Sequence, residues 1–433
     1  MEPESRSRRK DYPDRAGMFR MRVERPDRLS ASARRTRVLL LLGSLPLSLS
    51  LITATFSSHE LEPHGLSRRG ELGYAWARAH LESPFTEYGP FDDLGVSEFD
   101  AILLSNLASG LMNVAQLEGA DDAELARLSR EVARRALSVE PPGVHAGRDI
   151  GENNLYASHL LLILGIEHHL TARVGEQDEE HDAIAERTAR HLAAASLGHP
   201  TAHAPSYPGS ARWPADQAVT LAALDLFDHE HRTTLSVQPI ARWLRWIHAH
   251  QIEGLPWSAT GGLSYARIPR GCALSFLSLY VGRFAPEEGA RIYAAYREAH
   301  GIDWLGWRGF REWPEDQDGG SDVDAGPVLF GWGTAATGIG LGAARLYRDR
   351  GMVAGIERIA DTVGGPVPFS ARYLLAPTLG QAMLFAGETT TSWDERPVPM
   401  RGDRDAGWPI GAGLSLVVLG LAQVRLVRGL RRR

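Results

Sequence analysis

Apolar residues run without a charge from 38 to 56, "VLLLLGSLPLSLSLITATF", and again from 408 to 424, "WPIGAGLSLVVLGLAQV". The first run, 19 residues long as a helix, reaches about 28 Å at ~1.5 Å per residue, close to the thickness of a bilayer core. Arg34, Arg35 and Arg37 precede it, and Arg425, Arg428 and Arg431 to Arg433 follow the second. Arginines at both outer ends favour the cytoplasm. The pattern therefore predicts two transmembrane helices, with the intervening chain outside a bacterial-type inner membrane, on the periplasmic side. Two other readings stay open. Small residues after 56 also suit a cleaved signal peptide, and the shortness of 408–424, with Gln423 inside it, also suits a terminal core helix.

Between the two runs the pattern changes to amphipathic segments separated by Gly/Pro-rich loops, with no convincing strand alternation. Helices are predicted at 71–82, 97–116, 121–137, 153–173, 179–195, 214–231, 236–250, 270–283, 286–299, 329–348, 352–361 and 376–391. Segment 153–166 is apolar nearly all round, whereas 121–137 and 179–195 are rich in Glu and Arg. That contrast separates inner from outer helices. Six helical hairpins arranged this way make an all-α (α/α)6 toroid. The predicted division is a basic tail 1–37, a span 38–56, a toroid domain 60–400, a span 408–424 and a basic tail 425–433.

Charge and cysteine content narrow the function. The chain has a net charge of −6, but residues 38–400 alone hold 28 basic and 45 acidic side chains. An acidic body argues against nucleic acid as a partner. Cys272 is the single cysteine, so there is no intrachain disulfide and no zinc site built from several thiolates. No glycine-rich phosphate loop stands in strand–helix context, which disfavours nucleotide enzymes. No cofactor and no metal are expected.

Four stretches carry candidate chemistry. In "GENNLYASHLLLILGIEHHL", 151–170, Glu152, Tyr156 and His159 fall on one helix face with Asn153 beside them. Histidine exchanges protons near neutral pH and tyrosine orients or donates; the same residues also read as a helix cap, with Asn153 or Asn154 as N-cap. In "SYPGSARWPADQAVTLAAL", 206–224, Asp216 follows Pro214 in the first turn of a helix, near Tyr207 and Trp213. It reads either as dipole stabilisation or as a carboxylate aimed into a pocket. In "GFREWPEDQDGGSDVDAGPVLFGWG", 309–333, Glu312, Asp316, Asp318, Asp322 and Asp324 form an acidic loop. Asp324 suits acid–base work or a helix cap, and the spacing does not match an EF-hand. In "IPRGCALSFLSLY", 268–280, Cys272 reads as nucleophile or as small hydrophobe, and Arg267 and Arg270 as anion ligands or surface ion pairs. Trp213, Trp257, Trp304, Trp307, Trp313 and Trp332 lie in or beside these loops. They suit sugar faces, isoprenoid chains or an ordinary core.

"ENNLYASHL" resembles the E-N-x-x-Y-x-x-H-L stretch of the linalool dehydratase/isomerase family. The likeness continues in order through "ESPF" (82–85), helix 214–228, the acidic loop with "GTAATGIGLGAARL", and "SARYLLAPTLGQAMLFAGE", covering roughly 75–390. It implies an α/α toroid and cofactor-free acid–base catalysis, as a lyase or isomerase, on a terpene alcohol in the periplasm. The family's catalytic histidine falls on His159. Its cysteine pair falls near Tyr207 and Asp216, so neither thiol is kept. Its aspartate and tyrosine fall near His80 and Thr86, which leaves Tyr88 as the nearest phenol.

The expectation is thus a membrane-anchored enzyme with His159, Asp216 and Asp324 as catalytic residues. Tyr156, Tyr207, Trp213, Glu312, Tyr88, His80 and Asn153 would bind the substrate, a terpenoid alcohol or other small molecule. The alternatives are a carbohydrate-active toroid enzyme, hydrolase or epimerase, acting through paired carboxylates on a glycan, and a non-catalytic envelope binding protein. Sequence does not set the oligomeric state.

Overall fold

A computed structural model describes residues 31–56, 65–83, 98–138, 153–207, 209–317, 319–363, 378–393 and 407–431. Tyr88, Thr86, Glu152, Asp318 and the last two residues of "ESPF" lie outside them. Among the described residues there are fourteen helices and three two-stranded antiparallel hairpins.

Twelve helices match the predicted ones closely: α2 (Arg68–Glu82), α3 (Glu98–Ala115), α4 (Asp122–Ser138), α5 (Asn154–Ala172), α6 (Glu179–Leu197), α7 (Pro214–His231), α8 (Val237–Ala249), α9 (Gly271–Phe284), α10 (Pro286–His300), α11 (Thr334–Leu346), α12 (Arg350–Val363) and α13 (Thr378–Thr389). Local chemistry sets several starts. Ser67 caps α2 through Gly70 N–H, Asp178 caps α6 through Glu180 and His181 N–H, and Pro214 and Pro286 stand at first turns.

Helices α3, α5, α7, α9, α11 and α13 each pack on the next, and α13 packs back on α3. This closed succession explains their composition. A helix with ring neighbours on both sides and a helix behind it has no solvent face, and α5 is buried almost throughout from Asn154 to Thr171. The even-numbered helices α2 to α12 pack against these six. In α4 the buried stripe is Leu125, Leu128, Val132 and Ala136, the spacing of a one-sided helix. Arg69 of α2 and Arg345 of α11 both pair with the buried Glu388 of α13, tying three helices at one end.

The seam between α3 and α13 is tight. A Cβ on Gly110 would meet the Phe385 ring at 2.2 Å, so Gly110→Ala is expected to cost about 1–3 kcal/mol through overpacking. Gly338 of α11 faces open space, and Gly338→Ala is expected to be neutral or stabilising by up to about 1 kcal/mol. Thermal unfolding of the two variants checks the contrast.

The expected absence of strands is corrected by three hairpins: β1–β2 (Gln251–Ile252, Leu255–Pro256), β3–β4 (Gly301–Trp304, Trp307–Phe310) and β5–β6 (Val328–Leu329, Trp332–Gly333). The last replaces the start of the helix predicted from 329. Each turns on two residues with positive φ: Glu253–Gly254, Leu305–Gly306 and Phe330–Gly331. That backbone suits the right-handed twist of a hairpin.

The terminal helices α1 (Ala31–Phe56) and α14 (Gly407–Arg431) pack on each other. Gln423 Nε2 donates to Ser44 O at 3.2 Å and Ser48 Oγ at 2.9 Å. Ile410–Leu430 is long and apolar enough to cross a membrane. Trp307 of β4 packs with Ala412, Leu416 and Leu419, which seats the start of α14 on the body.

Candidate active site

The loops before α7, α9 and α11 meet at the amino-terminal end of the six-helix ring. Asn154 Nδ2 donates to Pro205 O at 2.6 Å, and Leu155 N–H to Ser206 O at 3.3 Å. Thr260 N–H donates to Arg212 O at 2.9 Å, and Gly271 N–H to Glu312 O at 2.8 Å. The rim is therefore continuous from α5 to α11. Helix amino termini carry partial positive charge, which favours carboxylates at this end.

One charged cluster dominates the rim. Arg270, next to the first turn of α9, is buried, and so is Glu312. Arg270 Nε donates to Glu312 Oε1 at 2.9 Å. Its Nη2 makes ion-pair contacts of 2.8 Å to Glu312 Oε1 and 2.7 Å to Asp322 Oδ2, without the alignment of a directed hydrogen bond. Cys272 completes the cage, its N–H donating to Glu312 Oε2 at 3.0 Å and its thiol to Oε1 at 3.2 Å. The Arg270 guanidinium also lies 4.7 Å from the Trp313 ring centre and 5.4 Å from that of Tyr265.

The carboxyls of this cluster are driven apart in acidity. Burial raises the Glu312 carboxyl, with Arg270 and Cys272 pulling it back only in part. Burial also acts to raise Asp322, but Arg270 and the backbone N–H groups of Ala325 and Asp324 outweigh it and hold Asp322 below the usual range. Asp324 is raised, first by desolvation and then by the negative charge of Asp322. Asp324 is nevertheless exposed to solvent. Two carboxyls with opposed shifts supply an acid and an anion in one wall.

The remaining predicted residues sort differently. His159 is 1% exposed, and its Nδ1 lies 2.7 Å from Ser105 Oγ on α3. Burial lowers it to about 4, so it is neutral at neutral pH. Tyr156 does not line a pocket with His159. Its hydroxyl donates to Ala136 O at 2.5 Å and ties α5 to α4. Asn153 caps α5 through Tyr156 N–H at 3.1 Å. Glu312 is wholly buried and bound internally, where it positions Arg270. Asp216 is half-buried on the first turn of α7 and accepts from Ser206 Oγ. Tyr207 and Trp213 are half-buried in the loop before it. His80, at the end of α2, stacks on Trp76 with ring centres 5.2 Å apart. Cys272 is buried, and burial, then Glu312, push its thiol well above its ordinary value, which fits the small-hydrophobe reading.

No family model and no curated protein matches the chain. Solved structures that are similar include a glycosidase with a glutamate-to-alanine substitution, at 14% identity and TM-score 0.44, covering 76% of this chain and 99% of that one. A wild-type glycosidase matches at 15% and 0.43, covering 76% and 99%. Another glutamate-to-alanine glycosidase, in complex with glucose, matches at 15% and 0.42, covering 83% and 99%.

The sequence pointed to Asp324 but gave no partner to Arg270 and left Asp322 without a role. The pair Arg270–Glu312 spans 42 positions, so no local spacing reports it. A lone arginine directly before a small-residue helix start, "PRGCALS", was the available signal.

Burial of neutral histidines predicts acid sensitivity. His159 and His300 are lowered to about 4 and His203 to about 3, each chiefly by burial. The unfolded chain takes up protons near pH 6.5, which the folded chain refuses. Stability is therefore complete above that value and falls as pH drops toward 4, by about 1.4 kcal/mol per pH unit and histidine. In His203→Gln the slope of the unfolding midpoint between pH 6 and 4 is expected to be shallower by one proton; an unchanged slope contradicts the assignment.

Proposed function

We propose that the chain is a membrane-tethered (α/α)6 toroid enzyme related to the linalool dehydratase/isomerase family, working by cofactor-independent acid–base chemistry on a hydroxyl-bearing substrate. The observation that carries it is the rim itself: Arg270 holds Asp322 ionised two residues from Asp324, whose carboxyl is raised and open to water. Asp324 in its protonated form donates to a leaving hydroxyl. The C–O bond breaks and water departs, while a base takes a proton from the adjacent carbon and the C=C bond forms. Asp216, the carboxylate that stands where the resemblance puts one thiol, is that base. His159, neutral and held by Ser105, positions the wall between α3 and α5.

Antiparallel packing of α1 and α14 supports the tethering. Arg37 approaches Gly429, so the arginines that begin α1 and end α14 share one side. That side is cytoplasmic by the positive-inside rule, and the toroid stands outside the membrane.

A second reading, glycoside hydrolysis or epimerisation, draws on the same carboxyl pair with Tyr265, Trp257 and Trp313 along the loop; aromatic rings suit sugar faces. A screen of terpene alcohols against oligosaccharides with the detergent-solubilised full chain separates them. Turnover of an alcohol, lost in Asp324→Asn, supports the first. Turnover of glycans alone transfers the site to the second, and no turnover of either class counts against both.

A further inference from the structure

The carboxyl-terminal ends of α5 and α7 lie about 25 Å along the ring helices from the rim, at ~1.5 Å per residue. There three helices bring together His168 (α5), Asp182 (α6) and His231 (α7). One ligand-capable atom from each lies within 4.8 Å of the other two. We propose that these residues form a metal site for a borderline divalent cation, Zn2+ foremost, which clips α5, α6 and α7 together.

Four observations support it. The donor set, two imidazoles and one carboxylate, is that of three-ligand zinc sites, with a fourth position for water. Nε2 of His231 is buried and has no hydrogen-bond partner among the described residues. Its ring is fixed by Phe227, with centres 4.3 Å apart, and stands 4.4 Å from the His168 ring. Finally, the ends of α5 and α7 carry partial negative charge, which favours a cation there.

Without a metal the arrangement is a poor hydrogen-bond network. His168 Nδ1 lies 2.7 Å from Asp182 Oδ1, which serves one imidazole and leaves the other. The surroundings are anionic: Glu230 and Glu186 act on His231. Glu167 is buried nearby, with Oε1 unpartnered and Oε2 3.4 Å from His181 Nδ1. Tetrahedral zinc with bonds of about 2.0–2.2 Å separates its ligand atoms by roughly 3.3–3.6 Å. Zinc therefore needs the 2.7 Å contact of His168 Nδ1 with Asp182 Oδ1 to open and any ligand atoms nearer the 4.8 Å limit to close inward. Because the site is remote from the rim, its readout is stability and metal content, not turnover.

The test is titration of the chelator-stripped full chain in detergent with zinc chloride, followed by calorimetry and by thermal unfolding. Wild type is expected to bind one equivalent with micromolar or tighter Kd and to melt at higher temperature with zinc. His231→Gln and Asp182→Asn are each expected to weaken binding at least tenfold and to abolish the thermal shift. Circular dichroism reports whether each variant is folded; if one is not, the other decides. His248→Gln, which alters an exposed histidine paired with Glu288, is expected to leave binding unchanged. Absence of zinc binding in the folded wild type overturns the proposal, as does binding that survives in whichever of His231→Gln and Asp182→Asn is folded. Loss of binding in His248→Gln alone identifies a surface site and overturns it too.

Discussion

Asp324→Asn is expected to lower kcat/KM by about two to four orders of magnitude, the usual contribution of a positioned general acid. In free energy that is roughly 3–5 kcal/mol of transition-state stabilisation, at 1.36 kcal/mol per decade. The amide keeps the shape of the side chain and its exposure at the rim but has no proton to give. Asp322→Asn acts in another way. It removes the charge that helps to raise Asp324 and leaves Arg270 with less to neutralise it. Both changes lower the acidity range in which Asp324 stays protonated. The expected result is a pH profile displaced toward acid, with the maximal rate less affected than in Asp324→Asn. Steady-state kinetics on the substrate identified by the screen distinguish the two.

The second large effect is structural. Arg270→Leu is expected to destabilise the protein by about 3–5 kcal/mol, because it strands the wholly buried Glu312 without its partner. Glu312 then keeps only the Cys272 N–H and thiol. The double variant Arg270→Leu/Glu312→Leu is expected to recover most of that loss, since replacing both members of a buried pair by apolar groups is often near neutral in stability. Turnover is not expected to recover in full with it, because Asp322 loses the ion pair that fixes its place in the loop. Thermal unfolding and activity of the single and double variants, read together, separate the stability of the rim from its chemistry.

The helices were legible because each inner helix is apolar on every side and each outer helix on one. The segment 153–173 announces itself in this way, and its structure is buried along nearly its whole length. The hairpins were not legible. A two-residue hairpin turn is ordinarily marked by Asn-Gly or Asp-Gly; here Glu253, Leu305 and Phe330 take the first positive-φ position. Their strands are two to four residues long, too short for alternation to register.

Side-chain direction was the other blind spot. Tyr156 and His159 share a side of α5 by spacing, yet one reaches outward to α4 and the other sideways to α3. Spacing gives the face of a helix but not which of three surrounding helices a side chain meets. The same limit hid the cluster of His168, Asp182 and His231, whose members come from three helices. Asp324 was legible as an acid candidate from its place before an apolar helix. What raises its pKa, desolvation first and then Asp322, itself held by an arginine 52 positions upstream, appears only when the loops are packed.

The pH dependence of kcat/KM for wild type and Asp324→Asn tests the central claim most directly. A general acid works only while protonated, so wild-type activity is predicted to fall as pH rises through the raised pKa of Asp324. Asp324→Asn is predicted to retain a low residual rate without that alkaline limb. The same alkaline limb in the variant, or a variant rate equal to wild type, would contradict the assignment of Asp324 as the proton donor.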